Sequence, residues 1–148
     1  MGMLDSQLVF AEGQAVTAIG DNPSTNEIAF ANSVLGDAGQ TQENLWITAL
    51  CTTLATSGGA ATVQAVLQNS PDNATWTDVA LGPALPVTGG ALPAGTVMLQ
   101  IQPPPGMLQY WRISWRIAAA VLTAGAFDAY VSNTIQRNVP RPIGFVVA

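Results

Sequence analysis

The dominant hydrophobic period along this chain is two. Residues 108–117 show it most clearly, with Trp111, Ile113, Trp115 and Ile117 alternating with Arg112, Ser114 and Arg116. Such alternation marks a strand with one face in a core and the other turned outward. Val63, Ala65 and Leu67 alternate with Thr62, Gln64 and Gln68 in the same way, and Val97, Leu99 and Ile101 with Thr96, Gln100 and Gln102. Residues 44–54 are apolar in both phases and rich in β-branched side chains, which predicts a central strand covered on both sides.

Turn signals separate these runs: Gly20-Asp21-Asn22-Pro23-Ser24, Gly36-Asp37-Ala38-Gly39, Ser57-Gly58-Gly59, Ser70-Pro71-Asp72-Asn73, Gly89-Gly90 and Gln102-Pro103-Pro104-Pro105-Gly106. Each combines residues that accept positive φ, fix φ near −65°, or hydrogen-bond their own backbone. The pattern predicts strands near 8–11, 14–19, 25–31, 44–55, 61–69, 75–81, 96–102, 108–119 and 125–134. Short strands at regular spacing predict an all-β sandwich or barrel. The Ala-rich stretch 117–126 is the one place where a helix competes with a strand. Residues 1–136 read as a single β domain and 137–148 as an apolar, Pro-containing tail. An apolar tail is expected to dock on its own domain or on a neighbour.

Composition narrows the chemistry. Of 148 residues only four are basic, all Arg, and nine are acidic; there is no His or Lys, and one Cys. Catalysis through His or Lys, a Ser–His or Cys–His pair, a Cys/His zinc site and a disulfide framework are thereby excluded. The acids of the first third (Asp5, Glu12, Asp21, Glu27, Asp37 and Glu43) include no pair in a setting that would raise one pKa. The expectation is a protein that is not an enzyme and holds no cofactor or metal. A net charge of −5 with scattered Arg argues against nucleic-acid binding. No continuous apolar run of membrane-spanning length and no signal peptide is visible, so the chain reads as a soluble protein made in the cytoplasm.

Charged residues make up 9% of the chain, against about 25% in an ordinary domain. Lys, a common device for blunting exposed sheet edges, is missing. Both features predict a surface largely covered by other protein. The charge is also segregated: residues 1–78 carry eight acids and no base, while all four Arg lie between 112 and 141. Such polarity suits a contact with a complementary surface, of the host assembly or of a second copy.

Three local features carry candidate roles. The hairpin around Asp72 and Asn73 is expected to pair Val63, Ala65 and Leu67 with Thr77, Val79 and Leu81, turning Trp76 and Asp78 outward. Trp76 there is either an interface residue or a sugar platform, and Asp72, Asn73 and Asp78 supply oxygens that calcium would need in larger number. Arg112 and Arg116 share a strand face and either pair with Asp128 or contact a partner. Cys51 sits in an apolar run and is expected to be a buried, inert thiol.

The opening Met3-Leu4-Asp5-Ser6-Gln7-Leu8-Val9-Phe10, followed by Gln14-Ala15-Val16-Thr17, resembles the capsid cement, or decoration, proteins of tailed bacteriophages related to the Bordetella phage cement protein. The hairpin 63–77 and the patterns Tyr110-Trp111-Arg112-Ile113 and Ala124-Gly125-Ala126-Phe127 are similar to that family too. The resemblance implies a jelly-roll-like antiparallel β-sandwich of about eight strands. It implies a structural virion protein on the outer surface of the expanded capsid, a homodimer or homotrimer that reinforces contacts between major capsid proteins. Leu4, Leu8, Phe10, Trp76, Arg112, Arg116, Arg137, Arg141, Ile143 and Phe145 are the candidate capsid or self-interface residues. The competing readings are a receptor- or carbohydrate-binding module on a virion and a structural subunit of the tail or neck.

Overall fold

The computed structural model describes residues 8–29 and 45–133. Among these residues ten strand segments run β1 (Val9–Ala15), β2 (Gly20–Pro23), β3 (Ile28–Ala29), β4 (Trp46–Ser57), β5 (Thr62–Ser70), β6 (Thr77–Leu81), β7 (Leu85–Pro86), β8 (Val97–Ile101), β9 (Tyr110–Ala118) and β10 (Leu122–Ser132). One sheet has the order β1-β10-β4-β8, and the other β2-β9-β5-β6, with β3 also on β9 and β7 also on β5. Every pairing is antiparallel.

Taking β2 with β3, and β6 with β7, as interrupted strands leaves eight strand positions. They pair in a nested order: first with last (β1·β10), second with seventh (β2/β3·β9), third with sixth (β4·β8) and fourth with fifth (β5·β6/β7). Nested pairing of eight strands split alternately between two packed sheets is a jelly roll. The all-β sandwich is therefore as expected. The stretch 117–126 is not helical: it ends β9, turns through Ala119 at φ 71° and enters β10.

The core lies between the sheets and is filled by the predicted phase. Trp111, Ile113, Trp115 and Ile117 of β9 are buried, as are Val63, Ala65 and Leu67 of β5. From the opposite sheet come Ile47, Ala49, Cys51, Phe127, Ala129 and Val131. Trp115 and Phe127 stack across the sandwich with ring centroids 4.9 Å apart and planes 27° apart. The Trp115 indole N–H reaches the side-chain oxygen of Gln14 at 3.3 Å, which gives the buried ring its polar partner.

Three boundaries differ from the sequence pattern. Residues 9–15 form one strand, not two short ones, because Gly13 at φ 57° makes a bulge that keeps the strand paired to β10. The Gly-Asp-Asn-Pro segment is strand β2, not a turn. It is tolerated because β2 is an edge, where Pro23 costs no ladder bond. The β5–β6 register is shifted as well. Val66 faces Leu81, Leu67 faces Ala80 and Gln68 faces Asp78, with a bulge between Leu67 and Gln68, and Val63 instead pairs with Leu85 of β7.

Candidate interaction surface

The alternation of β9 that buries four apolar side chains turns Arg112, Ser114 and Arg116 to the outer face of the β9 sheet. The neighbouring strands place polar side chains directly beside them: Asp21 of β2 opposite Arg116, and Gln64 and Gln68 of β5 opposite Arg116 and Arg112. Asp78 of β6 stands opposite Gln68 in turn. Side chains so placed interact across strands.

A continuous chain of contacts results. The Arg112 guanidinium lies over the Trp76 ring, 4.1 Å from its centroid. Arg112 Nε donates to Gln68 Oε1 at 2.8 Å, and Gln68 Nε2 donates to Asp78 Oδ1 at 2.7 Å. Arg116 Nη2 donates to Asp78 Oδ2 at 3.0 Å, and Arg116 Nε and Nη2 grip both oxygens of Asp21 at 2.6 and 3.0 Å. The network links four neighbouring strands and the β5–β6 loop. Gln68 orients it, because its amide can only accept on one side and donate on the other.

The electrostatics follow from these bonds. The Gln68 amide and then Arg116 hold the Asp78 carboxyl below its ordinary range. Asp21 and Asp78 push the Arg116 guanidinium further toward the charged state. Arg112 moves the other way: its partial burial disfavours the cation, and the charges of Glu27 and Asp21 offset this only in part. Arg116 is thus saturated with carboxylates, whereas Arg112 has, among the described residues, only a neutral amide and an aromatic face as direct partners. Between the two, Ser114 Oγ is fully buried and makes no hydrogen bond among the described residues.

Trp76 sits at the end of a tight loop. Asp72 Oδ1 accepts from the backbone N–H of Ala74 and Thr75 at 3.0 and 2.8 Å and from Ser70 Oγ at 2.9 Å. Those bonds, the two from backbone first, lower the Asp72 pKa to about 2. Asn73 takes the left-handed conformation the turn requires, φ 58°. The carboxylates considered for calcium therefore have separate duties, Asp72 in its own loop and Asp78 in the network. Among the described residues no group of three or more Asp, Glu, Cys or His is arranged to hold a metal ion.

The candidates taken from the sequence divide as follows. Trp76, Arg112 and Arg116 come together on one face. Asp128 does not join them: it lies in the other sheet and accepts from the backbone N–H of Gly13. Its parity was right, but β9 and β10 belong to different sheets. Phe10 is completely buried and belongs to the core, not to an interface, because β1 turns it between the sheets. Leu8 is half-buried against the same core. Leu4, Arg137, Arg141, Ile143 and Phe145, with the rest of the tail, lie outside the described residues. Asp21, Gln68 and Asp78 were missed as a set. Gln68 shares its strand parity with Gln64, but which acids stand beside the Arg side chains depends on strand order.

Taken together, these features define an all-β jelly-roll protein with a preformed polar and aromatic outer face. The Bbp16 family model matches residues 10–131, and the chain belongs to that family, a family of Bordetella phage proteins. Membership points to a structural component of a phage virion. No curated protein matches the chain. No helix among the described residues is long and apolar enough to cross a membrane.

Proposed function

We propose that this protein is a capsid cement protein, binding the outer surface of the expanded phage capsid and reinforcing contacts between major capsid proteins. The observation that supports this most directly is the outer face of the β9 sheet. Its side chains are locked to one another across four strands, so docking it costs little additional side-chain ordering. It presents Trp76 and Arg112 together, and Trp and Arg are the residue types most often found at the energetic centre of protein interfaces. The proposal includes a homodimer or homotrimer as the docking unit.

The mechanism is mechanical. A contact near ~1,600 Å² is a common scale for a stable interface. A protein that binds assembled shell but not separated subunits stabilises the shell by mass action. Repetition over a symmetric lattice raises the total through avidity. The sugar-platform reading of Trp76 has less support, because the Arg112 guanidinium already lies over the ring.

The test is co-sedimentation of the purified protein with expanded, decoration-free capsids of the same phage. Saturable binding at a fixed stoichiometry, with shells that then survive more heat, is the expected result. A folded protein that leaves shells unbound and unprotected would favour a tail, neck or receptor-binding role. Deleting residues 138–148 in the same assay measures what the tail contributes, and unchanged binding would remove it from the interface.

A further inference from the structure

The two Arg side chains of the polar face are not equivalent, and the difference identifies the partner's chemistry. Arg116 spends Nε and Nη2 on two carboxylates. Arg112 spends only Nε, on the neutral Gln68 oxygen; both its Nη groups lack a hydrogen-bond partner among the described residues. Glu27 attracts Arg112 through space but forms no ion pair with it. The fork is nevertheless fixed in place. Gln68 holds its Nε edge, Trp76 supports its planar face, and Gln68 is itself held by Asp78 and, through it, by Arg116.

A guanidinium held at its Nε edge and one face, with its Nη groups unmatched, is arranged to receive a carboxylate. We propose that Arg112 is the charge anchor of the docking surface and that it receives an Asp or Glu side chain of the major capsid protein. This rests on the cement reading above and names the chemistry of the contact. A second copy of this chain fits the face less well. The network carboxylates Asp21 and Asp78 are already spent on Arg116, so the same face of a second copy has none of them left to offer Arg112. An acidic group on a different protein can approach Arg112 alone.

Binding to expanded, decoration-free capsids is to be measured for the wild type, Arg112→Gln, Arg112→Lys and Glu12→Gln, the last an exposed acid outside the network. Each variant is first checked for native circular dichroism and melting. Losing one partner of a desolvated charge pair should weaken binding by about 30-fold or more. Arg112→Lys should fall between, since an ammonium keeps the charge and loses the fork. Glu12→Gln should bind as wild type does. If wild type binds and Arg112→Gln binds within about twofold of it, the anchor is wrong while the cement role stands. If wild type itself does not bind, both fall together. If Arg112→Gln alters only self-association, the carboxylate belongs to a second copy and the proposal is overturned. Should the Gln variant fail to fold, phenylglyoxal footprinting of wild type decides the matter. Arg112 should be modified in free protein and protected on shells, and equal modification in both states would refute the proposal.

Discussion

Gly82, just after β6, gives the most direct test of how the two sheets are joined. Gly82 lies between β6 and β7, which both pair with β5, and has the Ala65 backbone of β5 on one side and the Met98 backbone of β8, in the other sheet, on the other. A Cβ placed on Gly82 would lie 2.6 Å from the Met98 carbonyl oxygen and 3.2 Å from that of Ala65. Ordinary contact begins at 3.4 Å, so the Met98 carbonyl would have to recede by about 0.8 Å. Both obstacles are backbone of paired strands, β5 and β8, not the end of a flexible side chain. The Gly82 N–H donates to the Ala65 carbonyl at 2.9 Å, and Gln64 Nε2 donates to the Gly82 carbonyl at 2.7 Å. Overpacking of this kind costs roughly 1–3 kcal/mol, and the rigid backbone on both sides places Gly82→Ala near the upper end, about 2–3 kcal/mol. For a chain of this length that lowers Tm by about 5–10 °C. The assay is thermal and urea unfolding of Gly82→Ala beside Gly58→Ala. Gly58 lies in the β4–β5 turn with open space around its Cβ position and an ordinary φ. Gly58→Ala should change stability by less than about 0.5 kcal/mol in the unfavourable direction. A Gly82→Ala protein that melts with wild type would show that the two sheets do not meet as closely as this seam requires.

Three further outcomes follow from particular side chains. Ser114→Ala should raise stability by about 1 kcal/mol, read as a higher urea midpoint at constant slope, because it removes a buried hydroxyl with no partner among the described residues; a loss of similar size would mean that the oxygen is bonded after all. Asp72 has a folded pKa of about 2, below its ordinary value of 3.8, so its contribution is fully present above pH ~4 and is lost as pH falls toward 2. Acid titration of stability should therefore be flatter in that window for Asp72→Asn than for wild type, and identical profiles would show that the loop bonds do not stabilise the fold. Burial pushes the Cys51 thiol up, and the side chain is wholly enclosed. Its reaction with a thiol reagent should wait for unfolding, and rapid reaction under native conditions would contradict its position in the core.

Much of this architecture is present as local pattern. The alternation of β9 named its buried face and its outward Arg112 and Arg116 without any structure, because a strand's side-chain period is fixed by backbone geometry. The same rule identified β5 and the core positions Trp111 and Trp115, but in β8 it held only from Leu99 onward: a register irregularity against β4 leaves Val97 exposed and buries Met98. Cys51 was legible from its apolar neighbours alone. The scarcity of charge and the lack of Lys carry the expectation of an assembly partner for a reason that needs no fold: free surfaces usually carry more charge.

What the pattern did not contain was which strand lies beside which. Local periodicity placed Asp128 in phase with Arg112 and Arg116, but the jelly roll puts β10 in the other sheet and gives Arg116 to Asp21, nearly a hundred residues away. The apolar opening segment made Phe10 a contact candidate, but β1 pairs with β10 and buries that ring. Alternation set Val63, Ala65 and Leu67 opposite Thr77, Val79 and Leu81, but a bulge brings Gln68 opposite Asp78 and so completes the network. Strand phase is a property of a few consecutive residues and their backbone. Strand partners and register depend on long-range packing between segments that the chain order keeps apart, and only the folded structure decides them.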